Sequence, residues 1–241
     1  MDFYVGTGAG YSYGYGGYSY LLYILPALIF TLWAQWRVKS TFSKYEKVAS
    51  DRGMTGADAA RLVLQMNGVT DVAVARTAGK LTDHFDPREN VISLSENVYD
   101  ARTAAAVGVA AHEAGHAVQY AKSYMPIHIR SAVIPATRIG SIAAWPLFVL
   151  GLLMAWEPLQ LAGILLYGAC VLFQLLTLPV ELNASRRAVA TLREAGLTEE
   201  ATAAAKKVLT AAALTYVAAL ATALLQMLRL LAMFSGGRRR R

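Results

Sequence analysis

A chain of 241 residues has the length for one or two domains, but 56% hydrophobic residues, only 16% charged ones and a mean hydropathy of +0.37 exclude an ordinary soluble fold and point to membrane integration. The net charge of +7 does not signal nucleic acid, because the basic residues flank apolar runs and form no long patch with interleaved aromatics; anionic lipid headgroups suit that distribution better. The single cysteine, Cys170, lies in an apolar run, excludes an internal disulfide and reads as a packing residue.

Residues 1–19, MDFYVGTGAGYSYGYGGYS, lack the basic start of a cleaved signal peptide. Their glycines and tyrosines predict a flexible interfacial segment, since tyrosine is favoured where lipid meets water. Residues 20–36, YLLYILPALIFTLWAQW, carry no charge and are near the lower length limit for a transmembrane helix, with Trp33 and Trp36 as anchors at the far interface. Arg37, Lys39, Lys44 and Lys47 follow at once, which places that end on the cytoplasmic side.

Residues 37–130 change character and predict a small α+β domain. Thr55 and Asp58 form a capping-box-like start, Ala59, Leu62, Val63 and Met66 make an apolar stripe, and Gly68 is the stop of a helix. DVAVART and NVISLSE alternate apolar and polar residues, with the turn-rich LTDHFDPREN between them, so two or three short strands are expected. The alanine-rich DARTAAAVGVAAHEAGHAVQYAK then predicts a helix whose start Asp100 can cap or complement.

Lipid takes over again at residues 131–180, where AAWPLFVLGLLMAW and LQLAGILLYGACVLFQLLTLPV, joined by EP, read as a transmembrane hairpin with Arg138 near one end. Residues 181–207 form a polar helical connection, residues 208–234 a fourth membrane-spanning or membrane-associated helix with Arg229 near its end, and residues 235–241 a basic tail. The expected fold is therefore a mostly α membrane protein of about four transmembrane helices carrying a small α+β domain. The side holding Arg37, Lys39, Lys44, Lys47, Arg52, Lys122, Arg130, Arg186, Arg187, Arg193, Lys206 and Lys207 outweighs the terminal Arg238, Arg239, Arg240 and Arg241, so a multi-pass protein of the cell membrane with its polar domain in the cytoplasm is expected.

Within the alanine-rich helix stands HEAGH. Residues i and i+4 share a helix face, so His112 and His116 can reach one ion while Glu113 stands beside them. Neutral imidazoles suit Zn²⁺, a third protein ligand leaves one open position for water, and a glutamate next to that water is placed to act as general base in peptide hydrolysis. Gly108 and Gly115 allow another helix to approach this one closely. The third ligand should be a His, Asp or Glu further along, and Glu181, directly after LTLPV, stands out. His84 reads as a loop histidine or a substrate-orienting group, and His128 as structural or interfacial. Arg186 and Arg187 read mainly as headgroup contacts, with an oxyanion partner as the second reading.

The stretch from Glu181, ELNAS, is similar to the ExxAD helix of HtpX-type zinc peptidases, with Ser185 in place of that aspartate. A resemblance over nearly the whole chain is carried by LWAQWRVKSTFSKY, GKLTDHFDPREN, LSENVYDARTAAAVGVAAHEAGHAVQYA, WPLFVLG and LPVELNASRRA. These resemble the YugP-type family, bacterial membrane proteins described as neutral zinc metallopeptidases. The resemblance implies a zincin-like domain of gluzincin type, one Zn²⁺ per chain held by His112, His116 and Glu181, and Glu113 as the catalytic residue. It departs from the family's EFDAS at Asn183, which stands where an acidic residue is usual. The function so implied is hydrolysis of membrane or membrane-proximal polypeptides, with extended substrate pairing along residues 90–95; the alternative is a catalytically silent zinc-binding membrane scaffold or regulatory partner. A membrane-protein partner and a homo-oligomer are both left open by the sequence.

Overall fold

A computed structural model describes residues 14–238; the reading of residues 1–13 and of the last three arginines lies outside the described residues. The chain forms α1 (Gly14–Tyr45), α2 (Gly56–Met66), β1 (Ala73–Thr77), β2 (His84–Asp86), β3 (Val91–Ser95), α3 (Glu96–Tyr99), α4 (Ala104–Ala121), α5 (Met125–Leu153), α6 (Glu157–Glu194) and α7 (Glu199–Arg238).

Four helices have the length and apolarity to cross a membrane: Leu21–Tyr45 within α1, Met125–Leu153, Glu157–Glu194, and Glu199–Gly236 within α7. Their ends differ from the sequence expectation. Helix α1 already includes residues 14–20, α5 begins at Met125, α6 continues without a break through Glu181 to Glu194, and α7 starts at Glu199. The sequence boundaries followed the change from apolar to polar residues, which marks a membrane surface. A helix ends instead where the backbone is interrupted, and after Val180 the run ELNASRRAVATLRE offers no interruption before Gly196, a left-handed residue (φ +79°). One consequence concerns Arg138. Expected near the end of a membrane segment, it lies close to the middle of α5.

The polar region contains a three-stranded sheet in the order β1-β3-β2. β1 runs parallel to β3 with Ala73 opposite Val91, and β2 runs antiparallel to it with Phe85 opposite Ile92. β2 forms inside the segment expected to be turn, where three residues suffice for an edge strand. Thr55 caps α2 as the sequence predicts, its side chain accepting from the Asp58 N–H while the Asp58 carboxylate accepts from the Thr55 N–H at 3.1 Å. Helix α4 is capped by Thr103, whose hydroxyl accepts from the Ala106 N–H at 3.2 Å. Asp100, expected in that place, pairs instead with Arg76 at 2.7 Å, because the cap must sit directly before the first helical residue.

Helix α4 is the centre of the interior. Its buried Ala106, Ala110, Ala114 and Ala117 pack with Val63 of α2 and Ile92 of β3 on one side, and with Ala188 and Leu192 of α6 and Ala205 and Leu209 of α7 on the other. Small side chains allow α4 and α6 to run unusually close. At Gly115 the approach is closest: a Cβ there would stand 2.6 Å from the Ala184 carbonyl oxygen, nearer than real Cβ contacts come. The missing side chain brings one turn of α4 against the turn of α6 that carries Glu181.

Candidate metal centre

His112 and His116 project from α4 towards α6. The Nε2 atom of His112 lies 3.1 Å from Glu181 Oε2, and that of His116 lies 3.4 Å from the same oxygen. The two imidazole rings meet edge to face at 4.7 Å between centroids. One donor atom from each residue lies within 4.8 Å of the others, close enough for all three to reach one ion. Two imidazoles and a carboxylate are the donor types that bind zinc in three-ligand catalytic sites.

The far sides of both rings are held. Gln119, fully buried, donates through Nε2 to the Val180 carbonyl at 2.8 Å and to Asn183 Oδ1 at 3.0 Å, so its amide oxygen must face the other way, onto His116 Nδ1 at 3.0 Å. An amide oxygen can only accept. His116 Nδ1 therefore carries the hydrogen, and in the neutral ring the lone pair is on Nε2, facing Glu181. His112 Nδ1 meets the Ser185 hydroxyl at 3.1 Å, which holds the direction of that ring. Such hydrogen bonds fix ring tautomer and direction in metal sites, and the residues present fit a divalent cation.

This network also accounts for the departure at Asn183. Its side-chain oxygen accepts from Gln119 and from Arg187 Nε at 2.8 Å, so it orients the orienting group, a task that an amide oxygen performs without a negative charge. Replacing Gln119 by Leu is expected to leave the helices packed but free the His116 ring, lowering zinc affinity by about 10- to 100-fold. Zinc competition with a chelating dye would measure it, and an unchanged affinity would remove Gln119 from the centre.

Glu113 lines the same cavity, of about 870 Å³, as His112, His116 and Glu181. Burial pushes its carboxyl above the usual carboxylate range, the charges of Glu181 and Asp83 act the same way, and the two histidines oppose them. A carboxylate raised in this manner is better matched to taking a proton near neutral pH. At His116, burial pulls the pKa down, but the hydrogen bond and charge of Glu181 outweigh it, and the net direction is upward. A cation between these groups would take the place of that proton.

The remaining walls come from β2 and the turn after it, from one face of α5, and from Tyr216 of α7. His84 is on this wall, its Nδ1–H donating to the Thr82 carbonyl at 2.8 Å. His128 is not on the wall and packs edge-on against Tyr120 at 5.2 Å. Arg186 and Arg187 also lie elsewhere, the latter over the Tyr124 ring, and the guanidinium beside the carboxylate is that of Arg130, with Nη1 3.4 Å from Glu181 Oε1. Residues 90–95 cannot accept a further strand, because β3 is central and both its edges are taken; the sheet edge that borders the cavity belongs to β2.

Gln119, Ser185, Arg130 and Tyr216 were not singled out as site residues by the sequence. Gln119 did carry a signal, lying three residues beyond His116 on the same helical face. Arg130 and Tyr216 arrive on other helices, where no local spacing could reveal them.

Over residues 20–235 the chain matches the family described as "Putative neutral zinc metallopeptidase". The chain belongs to this family. Among its relatives is the protein named "Putative membrane protease YugP" of Bacillus subtilis (strain 168), 44% identical over 220 residues that make up 91% of this chain and 98% of the relative. No solved structure matches the chain. Membership of the zinc metallopeptidase family bears out the resemblance read from the sequence, and the matched region contains all three residues of the cluster together with Glu113. With four helices able to cross a membrane, this member is a multi-pass membrane protein.

Proposed function

We propose that this family member is a membrane-integrated zinc endopeptidase of gluzincin type, cutting membrane or membrane-proximal polypeptides, with one zinc held by His112, His116 and Glu181 and with Glu113 as general base. The observation that carries this reading is the convergence of both Nε2 atoms on Glu181 Oε2 inside a cavity that Glu113 also lines. Zinc, when bound, would acidify a water and polarise the scissile carbonyl. Glu113 would accept the proton of the attacking water and pass it to the leaving amine. Arg130 and Tyr216 offer N–H and O–H donors on the cavity wall, where negative charge developing on the carbonyl oxygen is stabilised. An extended polypeptide would align by pairing with the open edge of β2.

The scaffold reading is less well supported. A structural zinc is normally closed off by four protein ligands, whereas among the described residues this cluster has three and faces a cavity. The direct test is cleavage of an unfolded membrane protein by the purified chain in detergent, lost on chelation and restored by zinc; cleavage indifferent to chelator would end the zinc mechanism. The cytoplasmic placement of the site rests on the bias of Lys and Arg. A Ser43→Cys chain, in a Cys170→Ala background, should resist an impermeant thiol reagent in intact cells, and rapid labelling would reverse the orientation.

A further inference from the structure

The cavity beside the three-residue cluster extends along the apolar helix α5. Arg130, Ile134 and Arg138 all line it from α5, at the i, i+4, i+8 spacing of one helix face. The Arg130 side chain reaches Glu181 at 3.4 Å, and Thr137 is level with Ala169 and Cys170 of α6, whose carbonyl and thiol it meets at 3.4 Å and 3.8 Å. Between those two levels α6 carries no charged residue, and none occurs in residues 158–180. The twelve residues of α6 from Ala169 to Glu181 rise about 18 Å, so Arg138, next to Thr137, lies about that far along the bundle from Glu181, within the membrane-spanning stretch of α5.

A guanidinium at such depth is unfavourable without a partner, and an ionisable residue inside a membrane segment usually marks a pathway or binding site. Arg229 of α7, the arginine of the last membrane helix, is covered by Trp145, with its guanidinium 4.8 Å from the ring centre. Arg138 has no such cover. Its backbone carbonyl accepts from Ser141, but among the described residues no hydrogen bond, ion pair or ring engages its guanidinium.

We propose that Arg138 is a specificity-determining residue that binds a carboxylate of the polypeptide lying in the cavity, five or six residues from the bond to be cut. This rests on the reading of the site as a peptidase. The sign of the charge demands an anion. The occupant is a polypeptide because the cavity joins Arg138 to the metal cluster and to the free edge of β2. The distance follows from the geometry, since about 18 Å is covered by five to six residues of extended chain. In a membrane substrate this favours sequences with an Asp or Glu just inside an otherwise apolar segment.

The test uses the full chain, zinc-loaded and carrying Glu113→Gln so that bound peptide persists, together with active wild type. Fluorescent copies of an apolar host peptide carry a single Glu, Gln or Lys at each position on either side of the central bond. Anisotropy should show Glu at the fifth or sixth position binding about fivefold more tightly than Gln there, the upper end for a single exposed charge pair. Wild-type cleavage should show the same preference in KM with little change in kcat. Adding Arg138→Gln should erase the preference without altering the Gln peptide, and Arg138→Glu should transfer it to Lys. Equal zinc content among variants establishes that they are folded, and if Arg138→Gln does not fold, the peptide scan on the Arg138 chain still decides. A flat scan with intact cleavage overturns the proposal. So does phosphatidylglycerol retained by wild type and lost from Arg138→Gln without any peptide preference, which would make the anion a lipid headgroup. The binding preference without cleavage of any peptide would sink the peptidase reading and leave the carboxylate site standing.

Discussion

Glu113→Gln is expected to keep its zinc and lose at least about a hundredfold in turnover, the lower end of what a positioned general base contributes. The amide has the shape of the carboxylate and can still hydrogen-bond, but it cannot accept a proton from water. Glu113 is not among the three residues whose donor atoms converge, so metal content should be the same as in wild type. Zinc analysis and single-turnover cleavage of one detergent-solubilised substrate, run side by side, separate the two quantities. If Glu113→Gln cuts as fast as wild type, the proposed mechanism is wrong, whatever the metal content.

Removing a ligand should have the opposite signature. His116→Ala and Glu181→Gln are each expected to leave the chain with little or no zinc after dialysis, because a site with three protein ligands cannot lose one without a large fall in affinity. Glu181→Gln is the more informative, since Gln occupies the same space and preserves the packing of α6 on α4 while offering a much poorer zinc ligand. The carboxylate also meets Arg130 at 3.4 Å, so this variant leaves a guanidinium without its anion. A secondary loss of thermal stability is expected even in metal-free buffer. Full zinc occupancy in both variants would place the metal elsewhere.

The membrane helices and the HEAGH helix were legible because each rests on a local signal. Apolar runs of sufficient length and a fixed i, i+4 pair can be read without knowing what touches what. Thr55 and Asp58 belong to the same class, and the capping box is present. What escaped was contact between elements. Arg130 and Tyr216 reach Glu181's cavity from α5 and α7, and the choice of β2 as the open sheet edge depends on strand order, which alternation along the chain does not encode. The unbroken course of α6 was missed for a different reason. Polarity reports the solvent around a helix, whereas its continuation is decided by propensity and by the first residue needing positive φ, here Gly196.

The burial of α4 between the sheet on one side and α6 and α7 on the other has a bearing on how the protein is made. His112 leaves the ribosome 69 residues before Glu181, which at ordinary synthesis rates is roughly 3–14 s earlier. During that interval α4 has two imidazoles but not the Glu181 carboxylate, and the alanines that will face Ala188 and Ala205 have nothing to pack against. A nascent chain arrested before Glu181 should accordingly retain no zinc. For a protein that would cut membrane polypeptides, this order of synthesis is a safeguard: the proposed metal centre cannot be completed until the third membrane helix, which carries Glu181, has been made.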